Sequence, residues 1–207
     1  MRTLSEKQRK ISYCLKILVA LSAVAGTALS AYAGRGSFMG GSRVFMYFTI
    51  QSNLLMAVIS LVGLCLLMRK KTVSSKWYLV KFIGTVSITL TGIVFAFVLA
   101  PTLGAQAWNF QNTLTHVVVP LGSVIDFFVV GSNIRLPKKS ALLVIIPPLL
   151  YACYAGIGYV LGWEFAEGIR YPYFFLNWGS PAGAFGFTNE LPYMGCVWWI
   201  IVIFLFL

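Results

Sequence analysis

Six runs of predominantly apolar residues divide this chain, at about 14–33, 44–68, 82–103, 113–133, 140–162 and 192–207. A helix needs about 20 such residues to cross the hydrocarbon core of a bilayer. The runs are continuously apolar and do not alternate, which excludes the strands of a membrane barrel. Only 10% of the residues are charged and the mean hydropathy is +0.84, whereas soluble domains carry about 25% charged residues. The expected fold is therefore all-α: a polytopic membrane bundle of six transmembrane helices forming one domain over residues 1–207. No polar stretch is long enough to build a second domain.

The net charge of +11 does not signal a nucleic-acid partner, because the cations sit in short clusters between apolar runs. Arg2, Lys7, Arg9, Lys10 and Lys16 lie at the N-terminus. Arg69, Lys70, Lys71, Lys76 and Lys81 lie between the second and third runs, and Arg135, Lys138 and Lys139 between the fourth and fifth. Arg35, Arg43 and Arg170 are left for the other side. The positive-inside rule makes the cation-rich side cytoplasmic, with both termini inside and the protein integral to the plasma membrane.

The first run, with its basic leader and Ala31-Tyr32-Ala33-Gly34, has the form of a secretory signal; it is expected to be a retained helix. The last run has 16 residues, roughly 24 Å of helix. Either it ends at the inner interface or a natural tail follows. Pro147-Pro148 is expected to kink the fifth helix and free backbone carbonyls. Cys14, Cys65, Cys153 and Cys196 fall in or at the ends of runs and are expected to be small buried apolar residues.

Polar residues at membrane depth are costly unless partnered, so they carry the information. Tyr47-Phe48-Thr49-Ile50-Gln51-Ser52-Asn53 opens the second run. At about 100° per residue, Thr49, Ser52 and Asn53 share a face that Ser60 and Gly63 continue. Such hydroxyls commonly bond their own backbone or join helices. Asn112-Thr113-Leu114-Thr115-His116 opens the fourth run, and His116 is the single histidine. One histidine excludes a His-rich metal site and a bis-His haem; no metal and no cofactor are expected. Asp126 lies roughly 15 Å deeper on the same helix, too far to orient the imidazole. It reads as a structural carboxyl, protonated or bonded by hydroxyls, with Ser87, Thr89 and Thr91 near its depth.

Thr49 and His116 are expected roughly 9 Å and 6 Å below the same interface, on helices that run in the same direction. A hydroxyl and an imidazole at one depth suit a nucleophile–base pair acting on an acyl carbon. Ser52, Asn53, Asn112 and Thr113 are candidate supporting groups, with Asn53 or Asn112 donating to an oxyanion. Segment 163–191, with Trp163, Phe165, Tyr171, Tyr173, Phe174, Phe175, Trp178, Phe185 and Phe187, is too aromatic for a freely solvated loop. It is expected in the outer interface or over the bundle mouth, with a short helix near 164–168.

The motifs YFTIQSN at 47–53, TLTHVVVPLGSVIDFF at 113–128 and RYPYFFLN at 170–177 resemble the bacterial Pr-six-Pr family of six-span membrane proteins. More distantly, they are similar to the eukaryotic androgen-induced gene family. The resemblance runs from about residue 44 onward. The eukaryotic family implies intramembrane threonine hydrolysis of fatty acid esters of hydroxy fatty acids, with Thr49 at the nucleophile position and His116 at the base position. Related sequences read Pro-Tyr-Pro-Phe where this chain has Pro172-Tyr173-Phe174-Phe175, a departure in the late loop.

The expected function is thus hydrolysis of a lipid or fatty acyl ester, with membrane lipids as surroundings. A small-molecule carrier is one alternative and requires a continuous polar path from His116 to Asp126. A non-enzymatic membrane partner is the other and requires a fully packed His116.

Overall fold

The computed structural model describes residues 4–36, 41–69, 74–131, 136–188 and 194–206. Among these, helix is the only regular structure apart from one isolated antiparallel bridge between Ala166 and Ile169. Five helices are long and apolar enough to cross a membrane: α1 (Glu6–Ala33), α2 (Phe48–Met68), α3 (Ser75–Gln106), α4 (Phe110–Val130) and α5 (Lys138–Val160). Helix α6 covers Cys196–Phe204. Its nine residues rise about 14 Å, short of the roughly 30 Å hydrocarbon core. Positions 192, 193 and 207 of the sixth run, and Arg2, Lys70, Lys71 and Arg135 of the cation count, lie outside the described residues.

Local chemistry moved several boundaries. Helix α1 starts at Glu6 rather than at 14 because Ser5 and Gln8 form a reciprocal capping box. The Gln8 amide N–H donates to Ser5 Oγ at 3.2 Å, and the Ser5 N–H donates to Gln8 Oε1 at 3.0 Å. Ser74 caps α3 by accepting from the Trp77 N–H, and Asn109 caps α4 by accepting from the Asn112 N–H. Residues 44–46 are not in α2; they belong to a short 3-10 segment, Gly41–Met46.

Prolines explain the remaining departures. The expected kink at Pro147-Pro148 does not occur in mid-helix. Lys138–Ile145 is wound as a 3-10 segment, and the two prolines fall in the first turn of the α-helical part, Ile146–Val160. There a missing N–H costs nothing. Helices α3 and α4 each contain one π turn, Phe95–Leu99 and Leu114–Val118. Ala100 and Val119 donate five residues back, to Phe95 O and Leu114 O, and each is followed by a proline, Pro101 or Pro120. Proline removes the bond to the carbonyl four residues earlier and crowds it, so the helix widens.

The chain divides into two compact units, one of residues 1–30 and 49–144, the other of residues 31–48 and 145–207. The core of the first unit is an apolar layer of Val19, Ala23, Met56, Ala57, Ile59, Ile88 and Val119, drawn from α1, α2, α3 and α4. The second unit is built on aromatic packing. Tyr47 packs edge-on to Phe165 and Tyr173, and Tyr151 lies against Tyr154 and Tyr173. The Tyr47 hydroxyl donates to Phe165 O at 3.2 Å and the Tyr151 hydroxyl to Met46 O at 3.0 Å. Arg43 pairs with Glu164 at 3.1 Å. The short helix expected near 164–168 is absent: this stretch is a turn closed by the Ala166–Ile169 bridge, with Gly168 at φ +70°. A 3-10 turn forms instead at Phe174–Leu176. Of the four cysteines, only Cys196 is buried; Cys14, Cys65 and Cys153 are exposed and all four are free thiols. The expectation of four buried cysteines fails because three of them lie on outward faces of their helices.

Candidate functional site

Two polar clusters sit at opposite ends of the first unit's core, and both are built by helices whose alternating directions bring distant residues level. At one end, α2 contributes Thr49, Ser52 and Asn53, α3 contributes Thr91 and Phe95, and α4 contributes Asn112, Thr115 and His116. Thr49 Oγ1 lies 3.4 Å from His116 Nε2. That is a loose contact, longer than the roughly 2.6–3.2 Å of a tight nucleophile–base hydrogen bond. His116 is buried and Thr49 half-buried.

The imidazole's other nitrogen fixes its tautomer. Nδ1 is 3.0 Å from Asn112 O and 3.0 Å from Thr115 Oγ1. A carbonyl oxygen only accepts, so Nδ1 carries the hydrogen and Nε2 presents its lone pair to the Thr49 hydroxyl. The Thr115 hydroxyl donates to Gln111 O at 3.0 Å, which leaves its oxygen able to accept. One face of the ring is covered by Phe95, with ring centroids 3.7 Å apart and planes 18° from parallel.

Asn53 is fully buried and joins the two helices at this level. Its Nδ2 donates to Thr49 O at 2.8 Å and to Thr115 O at 3.2 Å. Both amide hydrogens are thereby committed to backbone, so Asn53 acts here as a tie and not as an open donor. Its Oδ1 finds no hydrogen-bond partner among the described residues. Asn112 Nδ2 donates to Ala107 O at 2.8 Å, which uses one of its two amide hydrogens. Ser52 Oγ lies 3.0 Å from Thr49 O and 2.9 Å from Thr91 Oγ1. Thr113 turns away and donates to Asn109 O at 2.9 Å. The geometry thus brings Thr49, His116, Ser52 and Asn53 together, includes Asn112 through its backbone oxygen, and leaves Thr113 out.

The second cluster corrects the expectation for Asp126. Ser87, Thr89 and Thr91 all donate to their own helix, to Ile83 O, Thr85 O and Ser87 O. Asp126 instead meets two lysines that in the sequence count only toward the cation-rich side. Lys16 Nζ and Lys81 Nζ each lie 2.5 Å from Asp126 Oδ2, and the Ser12 hydroxyl donates to Oδ1 at 2.5 Å. Lys16 and Lys81 are each 4% exposed, so these are buried ion pairs, for which hydrogen bonding on every oxygen decides whether burial is tolerable. The Lys16 stem runs across α2 at Gly63, where an added Cβ would stand 2.8 Å from its Cε. A lysine within an apolar run is a signal that the sequence offered, at Lys16 between Leu15 and Ile17. A cation-side count conceals it.

Compared with models of known protein families, with curated proteins and with solved structures, the chain matches none.

Proposed function

We propose that this chain is an integral membrane hydrolase of lipid-like esters, with Thr49 as nucleophile and His116 as general base. The observation that carries this reading is the 3.4 Å approach of Thr49 Oγ1 to an imidazole whose Nδ1 is anchored to Asn112 O. The resemblance to the Pr-six-Pr and androgen-induced gene families points to the same two residues and to fatty acid esters of hydroxy fatty acids as substrates.

The chemistry balances with these groups alone. His116 Nε2 takes the hydroxyl proton as Thr49 Oγ1 attacks the ester carbonyl carbon. The tetrahedral oxyanion requires donors, and Asn112 keeps one amide hydrogen beyond its bond to Ala107 O that could serve. Collapse returns the proton from Nε2 to the departing alkoxide and leaves an acyl ester on Thr49. Water, deprotonated by the same nitrogen, then attacks that ester, releases the fatty acid and restores the threonine hydroxyl.

In this reading the cation-rich side is cytoplasmic, both termini are inside, and the sixth run containing α6 completes six spans in the plasma membrane. The dyad then lies near the outer face, within reach of lipid. The carrier alternative requires a continuous polar path between the His116 and Asp126 levels; the helices carry there the apolar cluster of Val19, Met56, Ile59, Ile88 and Val119 beside the buried hydroxyls of Ser60, Ser87 and Ser123. A non-enzymatic partner fits the burial of His116, but it has no use for a lone pair held toward a hydroxyl.

The direct test is labelling of purified protein by a fluorophosphonate ester probe. Wild type should be labelled and Thr49→Ala should not; undiminished labelling of Thr49→Ala removes Thr49 from the mechanism.

A further inference from the structure

Nucleophile–base pairs are commonly completed by an acidic group that holds the histidine in place. Among the described residues no carboxylate is hydrogen-bonded to His116: Asp126 is bound to Lys16 and Lys81 at the other end of the core. Besides Thr49 and the Nδ1 partners, an aromatic face touches the imidazole. Phe95 lies flat on His116 at a centroid distance of 3.7 Å. Phe95 is itself 3% exposed, packed with Leu99, Ala100 and Ala107, and met edge-on by Trp108 at 5.2 Å.

Both partners of this stack sit in π turns, Phe95 opening one and His116 lying within the other. π turns inside α-helices concentrate at functional sites. The backbone is fitted to the stack as well. Pro120 deprives His116 O of its helical donor, and that carbonyl lies where a Cβ on Gly92 would come within 2.8 Å. Only glycine at 92 lets α3 approach α4 closely enough for the rings to meet.

We propose that Phe95 is the positioning residue of this site: by stacking, it fixes the plane of the His116 ring so that Nδ1 stays on Asn112 O and Nε2 on Thr49. The inference rests on the hydrolase reading for its kinetic consequence but not for its structural one. Without the stack, the ring rotates about its bond to Cβ, and the nitrogens lose their distinct partners.

The test uses the full chain in detergent or nanodiscs. Because His116 is the only histidine, nitrogen-15 labelling of histidine reports this one ring. Wild type should give the spectrum of a single Nδ1–H tautomer. Phe95→Leu, of similar volume but unable to stack, should give a tautomer average and a roughly tenfold fall in kcat with KM within about twofold. Phe95→Tyr should restore both. Unchanged histidine spectra and unchanged kcat in Phe95→Leu overturn the proposal, as does equal loss in Phe95→Leu and Phe95→Tyr. Failure of wild-type protein to hydrolyse esters, with the spectral change still seen in Phe95→Leu, sinks the hydrolase reading and leaves the positioning role standing. Activity lost in Thr49→Ala but kept in Phe95→Leu, with an unchanged histidine spectrum, does the reverse.

Discussion

The side-chain amide of Asn53 donates to the backbone oxygen of Thr115, 62 residues away, at 3.2 Å. Its second hydrogen goes to Thr49 O, so one buried group binds together the backbone at the hydroxyl and the backbone next to the imidazole. Asn53→Ala deletes two hydrogen bonds and leaves buried carbonyls without that donor. Helix-joining bonds in membranes average about 0.6 kcal/mol, but unsatisfied buried groups cost about 1–3 kcal/mol. A loss of about 1–3 kcal/mol is therefore expected, together with at least a tenfold fall in ester hydrolysis. Thermal unfolding in detergent with a parallel activity assay measures both. Full activity in a folded Asn53→Ala would show that the tie does not set the spacing of the site.

The Asp126 cluster makes an ordered prediction. Asp126→Asn strands two buried ammonium groups and should cost about 3–5 kcal/mol. Lys81→Met leaves one lysine for one carboxylate and should cost less. Replacing Asp126, Lys16 and Lys81 together by apolar residues of similar volume should recover most of the stability. Unfolding temperatures of the three variants decide it: Lys81→Met destabilised as much as Asp126→Asn would mean that charge balance is not what matters here.

Two glycines separate backbone crowding from side-chain crowding. A Cβ at Gly92 meets the backbone oxygen of His116 at 2.8 Å, whereas a Cβ at Gly63 meets the flexible stem of Lys16 at the same distance. Gly92→Ala should therefore cost about 1–3 kcal/mol and lower hydrolysis, because α3 and α4 must separate. Gly63→Ala should be milder and leave hydrolysis near wild type. Equal effects on activity would place the sensitivity in general packing and not at the stacked rings.

The proposed hydrolase reading, with His116 as base and Thr49 as nucleophile, predicts graded kinetics. Removing the general base in His116→Ala should lower kcat by about 100- to 10,000-fold. Thr49→Ser should keep measurable turnover, since the nucleophilic oxygen is retained, while Thr49→Ala should have none above background. Single-turnover acylation with an activated ester reads the step directly. Turnover by Thr49→Ala equal to Thr49→Ser would assign the attack to another group.

Much of the architecture is legible in the chain itself, and the places where it is not have identifiable causes. The apolar runs mark α1 to α5 because length and hydropathy are local properties. The capping box at Ser5 and Gln8 is equally local and explains why α1 begins well before its apolar residues do. Shared depth brings Thr49 and His116 to one level because helix rise is a constant, about 1.5 Å per residue. Rotational position is a different matter. Angles counted at 100° per residue fail across a π turn, and His116 lies inside one. The signal was present in Pro101 and Pro120, each one residue beyond the donor of a π bond, but a periodic reading passes over it.

Sequence alone determined the material of this protein: apolar helices of membrane length, a skewed distribution of cations, and a hydroxyl and an imidazole at a common depth. The tertiary structure decided everything that depends on which faces meet: the 3.4 Å contact, the Phe95 cover over the ring, the Asn53 tie, and the pairing of Lys16 and Lys81 with Asp126. The reason is physical. Depth and hydropathy are properties of a segment by itself, whereas a side-chain pair between helices depends on their rotation and separation. Those are set by packing at glycines and by proline-widened turns far apart in the chain.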